Sequence, residues 1–229
     1  VRNNEISMML SEHYARTFAA HGRKPEGVDW GASPDDHNLR MERMLALTEL
    51  GIPFRDRATL LDAGCGFGSL LDLIRKRAMP LDYHGVDICG PMIASARNKY
   101  PNDRWSTGDI LQFNPAEKYD YVICNGILTQ KLNASILAMN EYAKNLITKM
   151  FELCSIGIAF NVMSTHVNFM ADNLYYRNPV ELLAWCMTEL TPRARLDHAY
   201  PLFEYTIYLY REDAPGLAYG AHRTTIGTP

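Results

Sequence analysis

The 229-residue sequence has no C-x-x-C pair, no apolar run approaching membrane length and no surplus of positive charge. Its five cysteines (Cys65, Cys89, Cys124, Cys154, Cys186) are odd in number and widely spaced. That usage suits a reducing compartment, with each thiol acting as a small buried apolar group. The apolar run Ile156–Phe160 stops at Asn161, far short of the roughly 20 residues a spanning helix needs. Lys and Arg number 23 against 26 Asp and Glu, and the isoelectric point is near 6.2. A constitutive nucleic-acid binder needs clustered cations in excess, so nucleic acid is not an expected partner. No basic-then-apolar signal segment opens the chain at Val1, with a processed or trimmed start left open. A soluble, cytoplasmic protein with no membrane partner is the expectation.

What is present is ordinary globular material, 47% hydrophobic and 21% charged, without internal repeats or low-complexity tracts. From Thr59 onward, β-rich runs alternate with helical patterns, as in a parallel sheet covered on both faces. Strands are expected at 59–61, 83–88, 104–107, 119–124 and 157–162, with helices at 69–77, 92–99 and 179–190. A longer helix is expected to start at an Asn133 N-cap and carry Ile136, Met139, Ala143, Leu146, Ile147, Met150 and Phe151 on one face. Runs at 193–199 and 204–210 are joined too tightly for a parallel crossover and should form an antiparallel hairpin. Two helices, 6–20 and 35–50, precede the sheet, the second opened by Ser33-Pro34-Asp35-Asp36 as cap, proline and acidic first turn. Asp35, Asp36 and His37 are read as that cap and not as metal ligands. The expected organisation is an N-terminal helical lid over 1–50, an α/β domain over 51–211 and a tail over 212–229 outside the core.

The sharpest pattern is Leu60-Leu61-Asp62-Ala63-Gly64-Cys65-Gly66-Phe67-Gly68-Ser69-Leu70-Leu71, a strand entering a glycine turn that opens a helix. Glycines there permit tight turning and close approach of backbone to a ligand at the carboxyl edge of the sheet. A dinucleotide fingerprint would place its third glycine at Ser69. Gly68 comes one residue early instead, and an acid stands two residues before Gly64. With Asp87-Ile88 after the next run, Gly108-Asp109-Ile110 after the third and Tyr119-Asp120-Tyr121-Val122-Ile123 as the fourth, the sequence resembles the class I S-adenosylmethionine-dependent methyltransferases. The His-Tyr-Ala opening helix, the Gly27-Val28-Asp29-Trp30 loop and Asn173-Leu174-Tyr175-Tyr176 are similar to bacterial small-molecule members. The resemblance covers about 59–210.

It implies a Rossmann-like, doubly wound sheet of seven strands, five parallel and two in a C-terminal antiparallel hairpin. It also implies S-adenosyl-L-methionine as cofactor, with S-adenosyl-L-homocysteine as product, and methyl transfer to oxygen or nitrogen of a small polar metabolite or natural-product intermediate. An RNA or protein methyltransferase, or a non-catalytic partner that kept the fold, remain the alternatives, and a homodimer stays open. Asp87 would hold the ribose and Asp109 the adenine, with Asp62, Gly64, Cys65, Gly66, Ile88, Gly108 and Ile110 also contacting the cofactor. Each acid has a plainer reading: Asp87 as a solvated strand end, Asp109 as a turn former, Asp62 as a brace for its own loop. Trp30 would cover the cofactor or simply pack. Arg40 would pair with the methionine carboxylate or lie on the surface. Asn125, with Gly126 and Ile127, should lie beside the sulfonium; His13 and Tyr14 should line the substrate side. His166 is the candidate general base, against a lid or structural histidine, with Tyr175 and Asn125 as the other candidate catalytic residues. Tyr175 and Tyr176 are read as wall residues before acids, with one of the two open to a place in the core. No metal set can be assembled.

Overall fold

The computed structural model describes residues 3–31, 33–49, 57–212 and 214. A central sheet runs in the order β3-β2-β1-β4-β5-β8-β7. Its strands are β1 (Ala58–Ala63), β2 (Leu81–Asp87), β3 (Arg104–Thr107), β4 (Tyr119–Cys124), β5 (Cys154–Ser164), β7 (Ala194–Asp197) and β8 (Glu204–Tyr210). The first five pair in parallel, while β8 is antiparallel to both β5 and β7. An eighth strand was not expected: β6 (Tyr176–Arg177) pairs in parallel with the end of β5. Strand order reverses between β1 and β4, where ligand crevices form in such sheets.

Sheet and helices assemble because both faces of the central strands β1, β4, β5 and β8 are buried. Leu60 and Leu61 are adjacent and fully buried, yet they belong to opposite cores, as the two-residue period of a strand requires. Leu61 joins Leu146, Ile147 and Met150 of α5 (Ile136–Leu153). Leu60 joins Leu70, Leu71 and Ile74 of α3 (Ser69–Lys76), together with Met44 and Leu45 of α2 (Pro34–Leu45). Asp120 pins the starts of β1 and β4, accepting from the Thr59 amide at 2.9 Å while Thr59 Oγ1 accepts from its own. The five cysteines are buried and unpaired.

The cap at Ser33 forms as expected, its Oγ accepting from the Asp36 amide at 3.2 Å. The cap of α5 does not fall on Asn133. Ser135 accepts from the Ala138 amide instead, because the amides of Lys131 and Leu132 are held by the Asn173 carbonyl, which delays the helix. The helices α4 (Gly90–Lys99) and α6 (Pro179–Glu189) complete the layers. The N-terminal helix α1 (Asn3–His21) packs across α4 and α5. Of the tail, Ala214 is buried in the core of α2 and α3; 213 and 215–229 lie outside the described residues. Among the described residues no helix is long and apolar enough to cross a membrane.

Candidate functional site

A cavity opens at the carboxyl edge of β1, β2 and β4 and is lined by Gly64, Gly66, Asp87, Ile88, Gly108, Asp109, Ile110 and Asn125. Ser7, Leu10 and Tyr14 of α1 cover one side, and Val28 and Trp30 another. The turn after β1 takes left-handed geometry at Gly64 (φ 75°), Gly66 (φ 55°) and Gly68 (φ 84°), which side chains resist. A Cβ on Gly64 would fall 2.6 Å from Ile127, a second lining residue.

Turn and second strand are locked together by a carboxylate. Asp87 accepts from the Gly66 amide at 2.8 Å through one oxygen and from the Cys89 amide at 2.7 Å through the other. Burial raises its pKa, and those amides oppose the rise without cancelling it. An ionised carboxylate has about four acceptor positions, so lone pairs remain for a ligand. Asp109 accepts from the Leu111 amide at 2.9 Å, capping a 3-10 turn, and also lines the cavity. It is thus a turn former that also faces the cavity.

Asp62 lies under the turn and away from the cavity wall. Its carboxyl accepts from the Tyr83 hydroxyl at 2.7 Å and is pushed up to about 7, chiefly by burial, with a small push from the charge of Asp87. Cys65 is buried beside it and absent from the wall, its thiol raised by burial. Asn125 lines the cavity with its Nδ2 3.3 Å from Met41 Sδ. Its buried Oδ1 has no partner among the described residues. A buried acceptor left unpaired is costly, and a ligand N–H or O–H donor would satisfy it.

Trp30 lines the cavity and rests on Gly126, where a Cβ would come within 2.9 Å of the indole. Arg40 is not free for a ligand carboxylate: its Nε donates to buried Glu204 at 2.9 Å and its guanidinium covers the Trp30 ring. Tyr14 lines the cavity as expected, its hydroxyl pKa raised by burial. His13 pairs instead with Asp29 at 2.8 Å. His37 is buried against Trp30, and its pKa falls to about 4 through burial. Among the described residues no acidic, His or Cys cluster could hold a metal.

The structure does not bring His166 or Tyr175 to the cavity. His166 is exposed, its amide bonded to Ser164 Oγ and its ring 6.3 Å from that of His198. Tyr175 is buried in the core, its hydroxyl donating to Asn140 at 2.9 Å and its pKa pushed up to about 12 by burial. The short β6 pairing turns this segment inward. Tyr176 likewise accepts from the Ala171 amide. Conversely, Ser7, Leu10, Val28, Met92 and Tyr142 line the cavity without being singled out by sequence. Leu10 and Tyr14 share an i, i+4 face of α1, which is the one pattern that points to that wall.

Residues 60–147 match a family model described as a methyltransferase domain. A putative methyltransferase of Mycobacterium tuberculosis, Rv1506c, is 27% identical over 154 residues, 66% of this chain and 92% of that protein. The trans-aconitate 2-methyltransferase of an Azoarcus strain is 32% identical over 77 residues, 34% of this chain and only 30% of its own length. Among solved structures, a DhpI–SAH complex superposes with a TM-score of 0.59 at 17% identity, covering 90% of this chain and 98% of that one. CalS10 of Micromonospora echinaspora, an amino pentose methyltransferase, gives 0.54 at 16% identity, with 87% and 96% covered. At such identities the superpositions speak for the fold. Residues 60–147 thus match a methyltransferase domain, and the sheet order and glycine turn are similar to those of S-adenosylmethionine-dependent methyltransferases.

Proposed function

We propose that the chain methylates an oxygen or nitrogen of a small metabolite or natural-product intermediate, and that the cavity is its cofactor and acceptor site. The observation that carries this reading is Asp87, held at the cavity by the Gly66 and Cys89 amides with acceptor capacity to spare. S-adenosylmethionine, when bound, supplies an already activated methyl group. The residues fit it: the turn has no side chain in the way at Gly64 and Gly66, and Asn125 offers an orphaned acceptor.

In this reading Asp87 binds the vicinal hydroxyls of the ribose. Ile88, Met92 and Ile110 supply apolar walls for a base, and Asp109 accepts at its edge. Asn125 takes an N–H donor through Oδ1. Leu10, Tyr14, Trp30 and Ile127 exclude water and hold the acceptor, since orientation of reacting atoms can supply much of a transfer barrier. The cover of α1 and Trp30 suits a compact acceptor better than a polymer. Relatives named for trans-aconitate and for an amino pentose share that choice of small molecules.

Titration calorimetry with S-adenosylhomocysteine is the direct test. Wild type should bind, and Asp87→Ala should weaken binding at least 100-fold, since two bonds to a charged group are worth about 1.5–3 kcal/mol each. No heat at millimolar ligand with folded wild type would overturn the reading.

A further inference from the structure

Behind the wall made by Asn125, Gly126 and Trp30 runs a buried polar circuit. The Gly126 amide donates to Asn161 Oδ1 at 2.9 Å, and Asn161 Nδ2 donates to Glu204 Oε1 at 2.9 Å. Arg40 Nε donates to the other oxygen of Glu204, also at 2.9 Å, and the guanidinium lies 4.7 Å from the centre of the Trp30 ring. Trp30 lies in turn on Gly126, which closes the circuit. Glu204 is 2% exposed and Asn161 1%.

Gly126 takes φ 102°, a conformation other residues avoid, so its amide direction is set by the backbone and met by Asn161. Burying the Glu204–Arg40 pair costs several kcal/mol per ion, and apolar residues of similar volume often serve stability as well. What a charged pair adds is directed bonds from one centre to two loops far apart in sequence. Each loop contributes a cavity wall.

We propose that Glu204 is a positioning residue for the methyl-transfer site. Through Asn161 it holds the Asn125–Gly126 wall, and through Arg40 it holds the Trp30 wall, setting the gap between them. This rests on the functional reading above. Nothing in the circuit reaches the cavity except through Gly126 and Trp30, so Glu204 touches no ligand.

The test compares wild type, Glu204→Ala, Glu204→Gln and the double variant Arg40→Met with Glu204→Leu. Two readouts are taken: S-adenosylhomocysteine affinity and the emission of Trp30, isolated by subtracting a Trp30→Phe protein. Glu204→Ala should weaken affinity about tenfold, the cost of lost charged hydrogen bonds, and shift Trp30 emission to the red. Glu204→Gln keeps an acceptor for one arm and should lose only about threefold. The double variant leaves no buried charge unpaired, so it folds, yet it should show the same loss and red shift as Glu204→Ala. A merely structural role predicts otherwise. Leu182→Ala, a cavity-forming change in α6 that lowers the melting temperature, should leave affinity and emission as in wild type. Wild-type affinity and emission in the double variant would overturn the proposal. Should wild type bind no S-adenosylhomocysteine, the functional reading falls on its own. Trp30 emission then decides the clamp: a red shift in the double variant sustains it, and an unshifted spectrum overturns it.

Discussion

The two sides of the cavity are built by different means. On one side, the turn 62–68 and the strand end at 87–89 are two short stretches of chain, with Asp87 tying them together. On the facing side, Tyr14, Trp30, Asn125 and Tyr142 arrive from α1, a loop, the end of β4 and α5. The Trp30 and Asn125–Gly126 walls are braced by Asn161 and Glu204, which come from β5 and β8. A side built from local backbone geometry is constrained to particular residues at particular spacings. A side assembled across the whole chain can change its residues while keeping its shape. The contrast suits an enzyme class with one donor and many acceptors.

The largest effect that would sharpen this comparison lies under the turn. The Asp62 carboxyl moves from 3.8 unfolded to about 7 in the folded protein, because burial beside Tyr83 and near Asp87 disfavours the charge. The native state therefore binds more protons than the unfolded chain between those values, and stability falls as pH rises through that window. Above about pH 7 the loss is complete, at most about 4 kcal/mol. Asp62→Asn keeps an acceptor for Tyr83 and removes the titration. Urea unfolding should find the variant little changed at pH 4 and increasingly more stable than wild type toward pH 8. Parallel pH curves for the two proteins would show that the turn is not braced by a strained carboxyl.

The same division explains what could be read from sequence. The strand β8, the start of α3 and the lining by Asp87, Asp109 and Gly66 follow from patterns a few residues long. The antiparallel end of the sheet follows from the length of one link. Arg40 could not be read, because its partner Glu204 is distant in sequence and only the pairing of β5 with β8 brings it near. Which of Tyr175 and Tyr176 is core could not be read either: Tyr175 precedes a strand of two residues, and so short an element has no periodicity. Tyr142 lies on α5 among core positions, with nothing in its spacing to mark it as a cavity residue.

A smaller effect checks how the long-range side sets its own local structure. Since the Asn173 carbonyl holds the amides of Lys131 and Leu132, α5 begins at Ser135 and Asn133 stands idle as a cap. Ser135→Ala should cost about 1 kcal/mol, and Asn133→Ala should fall within about 0.5 kcal/mol of wild type. Thermal unfolding of the pair distinguishes them, and the reverse ranking would mean the helix start is set locally after all.

The smallest expected effect bears on the chemistry of the facing side. His166 is exposed and absent from the cavity wall, and its amide bonds Ser164 Oγ. A general base must come within hydrogen-bond reach of the proton it takes, directly or through one water. If catalysis rests on orientation at the wall of Trp30 and Asn125, His166→Ala should keep S-adenosylhomocysteine affinity. Its stability should stay within about 0.5 kcal/mol of wild type. Once an acceptor is identified, its rate should follow wild type as well. A rate lowered 100-fold or more at unchanged cofactor affinity would instead mean that the segment after β5 folds onto the acceptor during turnover. The facing side would then owe its chemistry to a side chain outside the cavity wall as well as to shape.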